Sequence, residues 1–359
     1  TQTTNLIVNG LGPSDVGSYQ MVASNAFGVA TSAVVQVVVR CVDGASLSPA
    51  SPFSNWATAA TTIQDAIDAA SPGEIILVTN GVYSTGGKVM AGELMNRVAL
   101  DKPLTVVSVN GATATVIEGA WDPATTNGPL AVRGAWLADG AILSGFTLQG
   151  GATLATGDTL SDSGSLQCGG GVWCASSNAM VANCVLTGNA ASASGGGAFQ
   201  GTLQNSVVTN NLARFGGGLS YGTARNCLIS FNEALQQGGG AYRSSLNNCT
   251  VTFNYTCFSC STTSGAGTYF GTTRNSIVLF NTVGRYGYLT ANYYAPGAQY
   301  AYCLTDPAVT GPGNLTGNPQ LLDLTHVSIH SPCRGAGSAA YASGTDLDGE
   351  PWANPPSIG

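Results

Sequence analysis

Residues 195–256 read GGGAFQGTLQNSVVTNNLARF, then GGGLSYGTARNCLISFNEALQQ, then GGGAYRSSLNNCTVTFNYT. Each unit opens on three glycines, and each carries two asparagines six residues apart: Asn205 and Asn211, Asn226 and Asn232, Asn248 and Asn254. The landmarks continue outwards. Gly169-Gly170-Gly171 opens an earlier unit and Gly265-Ala266-Gly267 a later one, with Asn183/Asn189 and Asn275/Asn281 in phase. A self-similar period of 21 to 27 residues marks stacked coils. An asparagine at a fixed turn of such a stack can bond its own backbone and the asparagines above and below it, forming a ladder.

Between the landmarks the side chains alternate as strands require. The columns Cys184/Ser206/Cys227/Cys249/Ser276 and Leu186/Val208/Ile229/Val251/Val278, followed by Phe231/Phe253/Phe280, are expected inside; Thr187/Thr209/Ser230/Thr252 are expected outside. The stacked Cys184, Cys227 and Cys249 then read as small core residues. The period is too long for hexapeptide coils, and the unit lacks the Leu pattern of leucine-rich repeats and the aspartates of calcium-binding nonapeptides. The fold expected is all-β: a right-handed parallel β-helix of about nine coils, roughly 40 Å long.

Composition agrees. Only 8% of residues are charged while 44% are hydrophobic, and 49 are glycine, which describes many short strands joined by tight turns rather than disorder. A net charge of -7 with eleven basic residues argues against nucleic acid and against a polybasic membrane contact. No run approaches the ~18 apolar residues of a membrane helix. The ten cysteines suggest an oxidising compartment. Cys257/Cys260 and Cys168/Cys174 are spaced to close small disulfides, and a zinc site at the first pair lacks a second ligand pair.

A stack needs covered ends. Thr62–Ala70 forms a short amphipathic helix with Ile63, Ala66, Ile67 and Ala70 on one face, ending at Ser71-Pro72-Gly73 before the first strand, Glu74–Val78. The run Trp56-Ala57-Thr58 … Ile63-Gln64-Asp65-Ala66-Ile67 … Gly73-Glu74-Ile75-Ile76-Leu77-Val78 … Gly81-Val82-Tyr83 resembles the start of pectin-lyase-like β-helix proteins. The close, Ser331-Pro332-Cys333-Arg334-Gly335-Ala336-Gly337 … Asp346-Leu347-Asp348-Gly349-Glu350-Pro351, is similar to the choice-of-anchor Q module of bacterial surface β-helix proteins. The resemblance spans about residues 40–359 and implies an exported bacterial protein with carbohydrate as its ligand class.

Residues 1–39 read differently. Asp15-Val16-Gly17-Ser18-Tyr19 ahead of an alternating run resembles the tyrosine corner of immunoglobulin-like domains, with Asn25-to-Gly28 as the hairpin between the last two strands. Three strands of such a sandwich leave an open edge, which favours a longer protein upstream and would also allow self-association. The chain thus divides into a partial immunoglobulin-like domain (1–39), a β-helix with its N-terminal cap (40–310) and a capping or anchor-type segment (311–359).

The chemistry is sparse. A polysaccharide lyase needs a base and a cation for the uronate, and a glycoside hydrolase needs paired carboxylates. Arg225 and Arg274 share an outward column two coils apart, and Arg243 lies on a neighbouring stretch. Together they form a candidate uronate stripe, or simply solvated surface. Glu233 stands alone in the repeat, and Asp158 and Asp162 sit on the loop at 152–167. Trp173, Phe199, Ser220 (with Tyr221 beside it), Tyr242 and Tyr269 form a second column; facing outwards, Trp173, Tyr221, Tyr242 and Tyr269 would make a sugar platform, and facing inwards an ordinary core. His326 and His330 give no convincing metal pair. Asp346, Asp348 and Glu350 resemble a fragment of a calcium loop but read as a turn, so no cofactor is indicated and calcium lacks a complete motif. The function expected is a secreted or cell-surface module recognising, and conceivably cleaving, polysaccharide or cell-surface glycan; the alternative is a structural or adhesive stalk.

Overall fold

A computed structural model describes residues 12–157, 164–257, 265–284, 287, 289–294 and 299–359. Equivalent strands of successive units pair in parallel and in register: Thr202–Gln204 with Thr223–Arg225, Val207–Thr209 with Leu228–Ser230, and Leu212–Phe215 with Glu233–Gln237. Repeating this builds a seventeen-stranded, a nine-stranded and a six-stranded sheet along one stack. The protein is a parallel β-helix.

The landmarks have distinct physical roles. Asn189, Asn211, Asn232, Asn254 and Asn281 are buried, and each passes its side-chain amide to the next: Nδ2 of 189 donates to Oδ1 of 211 at 2.9 Å, 211 to 232 at 2.9 Å, 232 to 254 at 2.9 Å and 254 to 281 at 3.0 Å. Asn292 ends the ladder, accepting from Asn281 at 3.2 Å. Each Oδ1 also accepts the backbone N–H of the asparagine one coil earlier, as Asn232 does from Asn211 at 3.1 Å. A buried amide costs little only when its donors and acceptors are filled, and this arrangement fills them. The glycine runs lie against the ladder. A Cβ on Gly217 would sit 2.2 Å from the Glu233 carbonyl oxygen, and one on Gly218 3.0 Å from Asn232 Nδ2, so no larger residue fits there.

Leu186, Val208, Ile229, Val251 and Val278 are buried in the lumen as expected. Cys184, Cys227 and Cys249 are buried free thiols. Burial pushes the Cys184 thiol up to about 12.

One expectation fails. Phe231, Phe253 and Phe280 do not enter the core; they are 39%, 41% and 45% exposed and stack on one another outside, with centroids 5.4 and 5.5 Å apart. Each has a positive φ (56°, 54° and 59°), which breaks the alternation and hands the inward position to the following asparagine. Ser230 and Thr252 alternate with the lumen residues Ile229 and Val251 and so face outwards as expected, yet they are buried. The C-terminal segment folds back over that face of the nine-stranded sheet, and Ile277, Leu279 and Leu304 pack with Cys333 and Ile358 in a second core.

The returning segment is tied to the other asparagine column. Asn183, Asn205, Asn226, Asn248 and Asn275 all have φ between 47° and 54°, turning the chain between the seventeen- and nine-stranded sheets. The last three hold the segment: Asn275 Nδ2 donates to the Ser338 carbonyl at 2.9 Å, Asn248 Nδ2 to that of Tyr341 at 2.9 Å, and Asn226 Nδ2 to that of Thr345 at 2.6 Å.

At the other end the helix Ile63–Ala69 covers the first coils. Thr62 caps it by accepting the Asp65 N–H at 3.2 Å, and Ile63, Ala66 and Ile67 are buried. Its Gln64 is buried as well and bonds both backbone groups of Ala99. In the N-terminal part the Tyr19 hydroxyl donates to the Asp15 carbonyl at 2.8 Å, Val22–Asn25 and Gly28–Thr31 form a hairpin, and Gly17–Tyr19 pairs with Val35–Val37. Val22, Phe27, Val29 and Val35 stay exposed, since so few strands bury neither face.

Candidate functional site

The aromatic column follows the strand register. Trp136, Trp173, Phe199, Ser220, Tyr242, Tyr269 and Tyr294 are partners on successive coils. Their neighbours Val172, Ala198, Leu219 and Ala241 belong to the lumen core, so alternation turns the aromatic column away from it. The column is nevertheless not the open platform that the outward alternative would give. Trp173 stacks on Trp136 at 5.5 Å, and Tyr269 stacks on Tyr242 at 5.5 Å and on Tyr294 at 5.0 Å. A pyranose needs an aromatic face, and neighbouring rings occupy these faces; Tyr242 is only 4% exposed.

A second layer lies outside the column. Gln200, Tyr221, Arg243 and Phe270 have φ of 57°, 57°, 50° and 55°, a left-handed kink that splits the strand at the first two and bends it at the last two, with Tyr221, Arg243 and Phe270 packed on the column. The Arg243 guanidinium sits 5.4 Å from the Tyr242 ring centroid and 5.9 Å from those of Tyr221 and Phe270, and its Nη1 donates to the Tyr221 hydroxyl at 3.4 Å. On the far side Phe215 packs against Tyr242 at 5.2 Å and carries the Arg214 guanidinium 5.2 Å above its ring. Two exposed arginines thus flank an aromatic cluster, each held by cation–π attraction.

The other candidates lie apart. Arg225 and Arg274 share a column with Asn247 between them, as expected. That column runs at the opposite end of the strand from Arg243, so the three arginines are not one stripe. Tyr341 of the returning segment covers Arg274, its ring 5.1 Å from the guanidinium carbon, and Arg225 faces a cleft bounded by residues 340–343. Among the described residues no ion pair joins Arg225 or Arg274 to a carboxylate. Glu233 belongs to the six-stranded sheet, in register with Leu212 and Tyr255, on the strand next to that of Arg214 and Phe215, and among the described residues it forms no ion pair. Asp158, Asp162 and Cys260 lie outside the described residues.

No disulfide joins Cys168 to Cys174; Cys174 is a free thiol whose pKa burial pushes up to about 12. His326 does not pair with His330. It bridges two carboxylates instead, with Nδ1 2.8 Å from Asp323 Oδ2 and Nε2 2.9 Å from Asp348 Oδ2. The Asp323 bond foremost raises the pKa of His326. Backbone N–H bonds, with Thr325 first, and the imidazole hold Asp323 well below the usual carboxylate range. Asp346 closes a turn, accepting the backbone N–H groups of Asp348 and Glu350 at 3.1 and 2.8 Å. The sequence reading missed Arg214, Phe215 and Phe270, and the available signal was the glycine after the kink: Gly201, Gly222 and Gly271 follow Gln200, Tyr221 and Phe270.

No family model matches the chain, and no curated protein matches it. Among solved structures it is similar to the pectate lyase Pel9A, at 12% identity over 90% of this chain and 96% of that one, with a TM-score of 0.46. It is also similar to the rice weevil pectin methyl esterase, at 14% identity over 68% of this chain and 74% of that one, TM-score 0.36. The pectin methylesterase PemA from Erwinia chrysanthemi matches at 13% identity over 76% and 80%, TM-score 0.36. Likenesses this distant carry no functional argument, and the β-helix assignment rests on the strand register.

Proposed function

We propose that the protein is an extracellular module that recognises polysaccharide through the face centred on Arg243. The observation that carries this reading is the Arg214–Phe215–Tyr242–Arg243 cluster, in which two exposed guanidinium groups are fixed by aromatic rings. Rigid donors beside apolar ring edges suit a chain of hydroxyl and carboxylate oxygens. Tyr221 and Tyr269 serve as flanks of that face, while Trp173 and Tyr242 support it from below. A right-handed winding belongs to the same reading, because parallel crossovers take that hand. No helix among the described residues is long and apolar enough to cross a membrane, a statement that leaves β-barrels aside.

The test is retention of the protein on a panel of neutral and acidic polysaccharides, with unsaturated products and new reducing ends followed in parallel. Arg243→Gln is expected to weaken binding to the retained polysaccharide about tenfold, the worth of one charge-assisted hydrogen bond. Equal retention of the variant and the parent would overturn the reading. Unsaturated products or new reducing ends would add cleavage to recognition.

A second reading, a structural stalk, draws on the N-terminal part: the Tyr19–Asp15 bond fits a tyrosine corner, and the exposed Val22 and Val29 would pack on further strands of an immunoglobulin-like sandwich or on a second copy. The anchor-type assignment of residues 311–359 belongs to this reading.

A further inference from the structure

A cavity of about 230 Å³ opens between the Arg225–Asn247–Arg274 column and the stretch 340–343 of the returning segment. Arg225 and Asn247 line the sheet side, and Ala342 and Ser343 line the opposite wall. All four reach solvent: Arg225 and Ser343 are exposed, and Asn247 and Ala342 are half-buried. Its volume is below that of drug-sized pockets and suits a charged head group with the first atoms behind it.

Charge sets the sign of the ligand. Among the described residues no Asp or Glu lines the cavity, and none pairs with Arg225. Arg274, two rungs along the stack at about 10 Å, adds a second cation, its guanidinium carbon 5.1 Å from the Tyr341 ring centroid. In a chain of net charge -7, a cleft that holds cations and no acid draws an anion.

The donors set its shape. Among the described residues the Asn247 amide, the Ser343 hydroxyl and the backbone N–H groups of Ala342 and Ser343 donate to no protein acceptor. A guanidinium fork by itself fills both oxygens of a planar carboxylate. Donors on the opposite wall call for further oxygens outside that plane, and a tetrahedral group carries them.

We propose that this cavity binds a tetrahedral oxyanion, the phosphate or sulfate head of a small esterified sugar. Arg225 takes two of its oxygens, and Asn247, Ser343 and the backbone of 342–343 take the others. The site is separate from the face centred on Arg243, because the column runs at the other end of the strand Ala241–Asn247.

The experiment titrates the whole protein by calorimetry at pH 7.5 with glucose 6-sulfate, glucose 6-phosphate, glucuronate and glucose. Glucose 6-sulfate and glucuronate carry the same single charge, so the ratio of their affinities reads the shape of the anion. Saturable binding of glucose 6-sulfate is expected, with glucuronate at least about tenfold weaker and glucose silent. Glucose 6-phosphate, with close to two charges, should bind at least as tightly as the sulfate. A phosphate-to-sulfate ratio above about tenfold, more than the extra charge gives, assigns the natural head as phosphate, and a smaller ratio assigns it as sulfate. Arg225→Gln should weaken both esters about tenfold and Arg225→Lys about threefold, because lysine keeps the charge and loses the fork. Arg243→Gln should leave both unchanged, which separates this site from the polysaccharide face. Glucuronate as tight as glucose 6-sulfate, silence of both esters, or indifference to Arg225→Gln would overturn the proposal.

Discussion

The two asparagine columns use the same residue, at the same six-residue offset, for opposite purposes. The inner column, Asn189 to Asn281, is buried and closed: each amide bonds the next coil's amide and the backbone of the coil before. The outer column, Asn183 to Asn275, turns the chain through a left-handed conformation, bonds the stack only at Asn183 to Ser144 and at Asn226 to Asn205, and otherwise turns its amides to what lies outside. In three coils that is the C-terminal segment, grasped by two bonds at Asn275 and by one at Asn248 and Asn226. A side chain whose partners are copies of itself stabilises the stack, whereas one whose partners are foreign fastens another element to it.

That contrast can be broken first at its strong side. Asn232→Ala removes the acceptor of the Asn211 backbone N–H and side-chain amide, and the donor to Asn254 Oδ1 and the Val208 carbonyl, in a dry interior, so a global loss of about 3 kcal/mol is expected in denaturant unfolding. A loss under 1 kcal/mol would mean that the ladder is packing rather than bonding. Asn275→Ala should cost less, about 1–2 kcal/mol, and locally: faster proteolysis within 338–359 with the coils intact. Asn226→Gly keeps the turn, because glycine accepts a positive φ, and forfeits the bonds to the Thr345 carbonyl and to Asn205 Oδ1, so a change of about 0.5–1 kcal/mol is expected in the same unfolding measurement.

The finest test is pH. The raised pKa of His326 means that its bond to the carboxylates is fully present below the unfolded value of about 6.5 and is lost as pH rises through the folded one. The depressed pKa of Asp323 works at the other end, losing its share only in strong acid. Amide exchange in residues 323–350 should therefore accelerate from pH 6 to 9 beyond the intrinsic chemical rate, and His326→Gln should abolish the excess.

The sequence made the coils legible because their constraints repeat: a glycine run with no room for Cβ and an asparagine that must meet its copy leave fixed spacings. Phe231, Phe253 and Phe280 were misplaced because strand alternation was carried through a left-handed residue, a conformation that only glycine or asparagine advertises. The binding face was half visible. Tyr242 and Arg243 are adjacent in sequence, but Phe215 and Arg214 reach them from another sheet, and cross-sheet proximity has no period. The returning segment was least legible, since its bonds go to backbone carbonyls that any residue supplies.

The grip of that segment also sets a rule for growth. Coils in register can be duplicated or deleted without altering their lateral bonding, much as floors are added to a building. Residues 338, 341 and 345, however, meet coils at Asn275, Asn248 and Asn226 in a fixed order, like marks on a ruler. An extra coil between Asn226 and Asn275 would shift those marks by one rung, about 4.8 Å, and break the match. The stack is free to lengthen before Asn226, and the stretch after it is gauged.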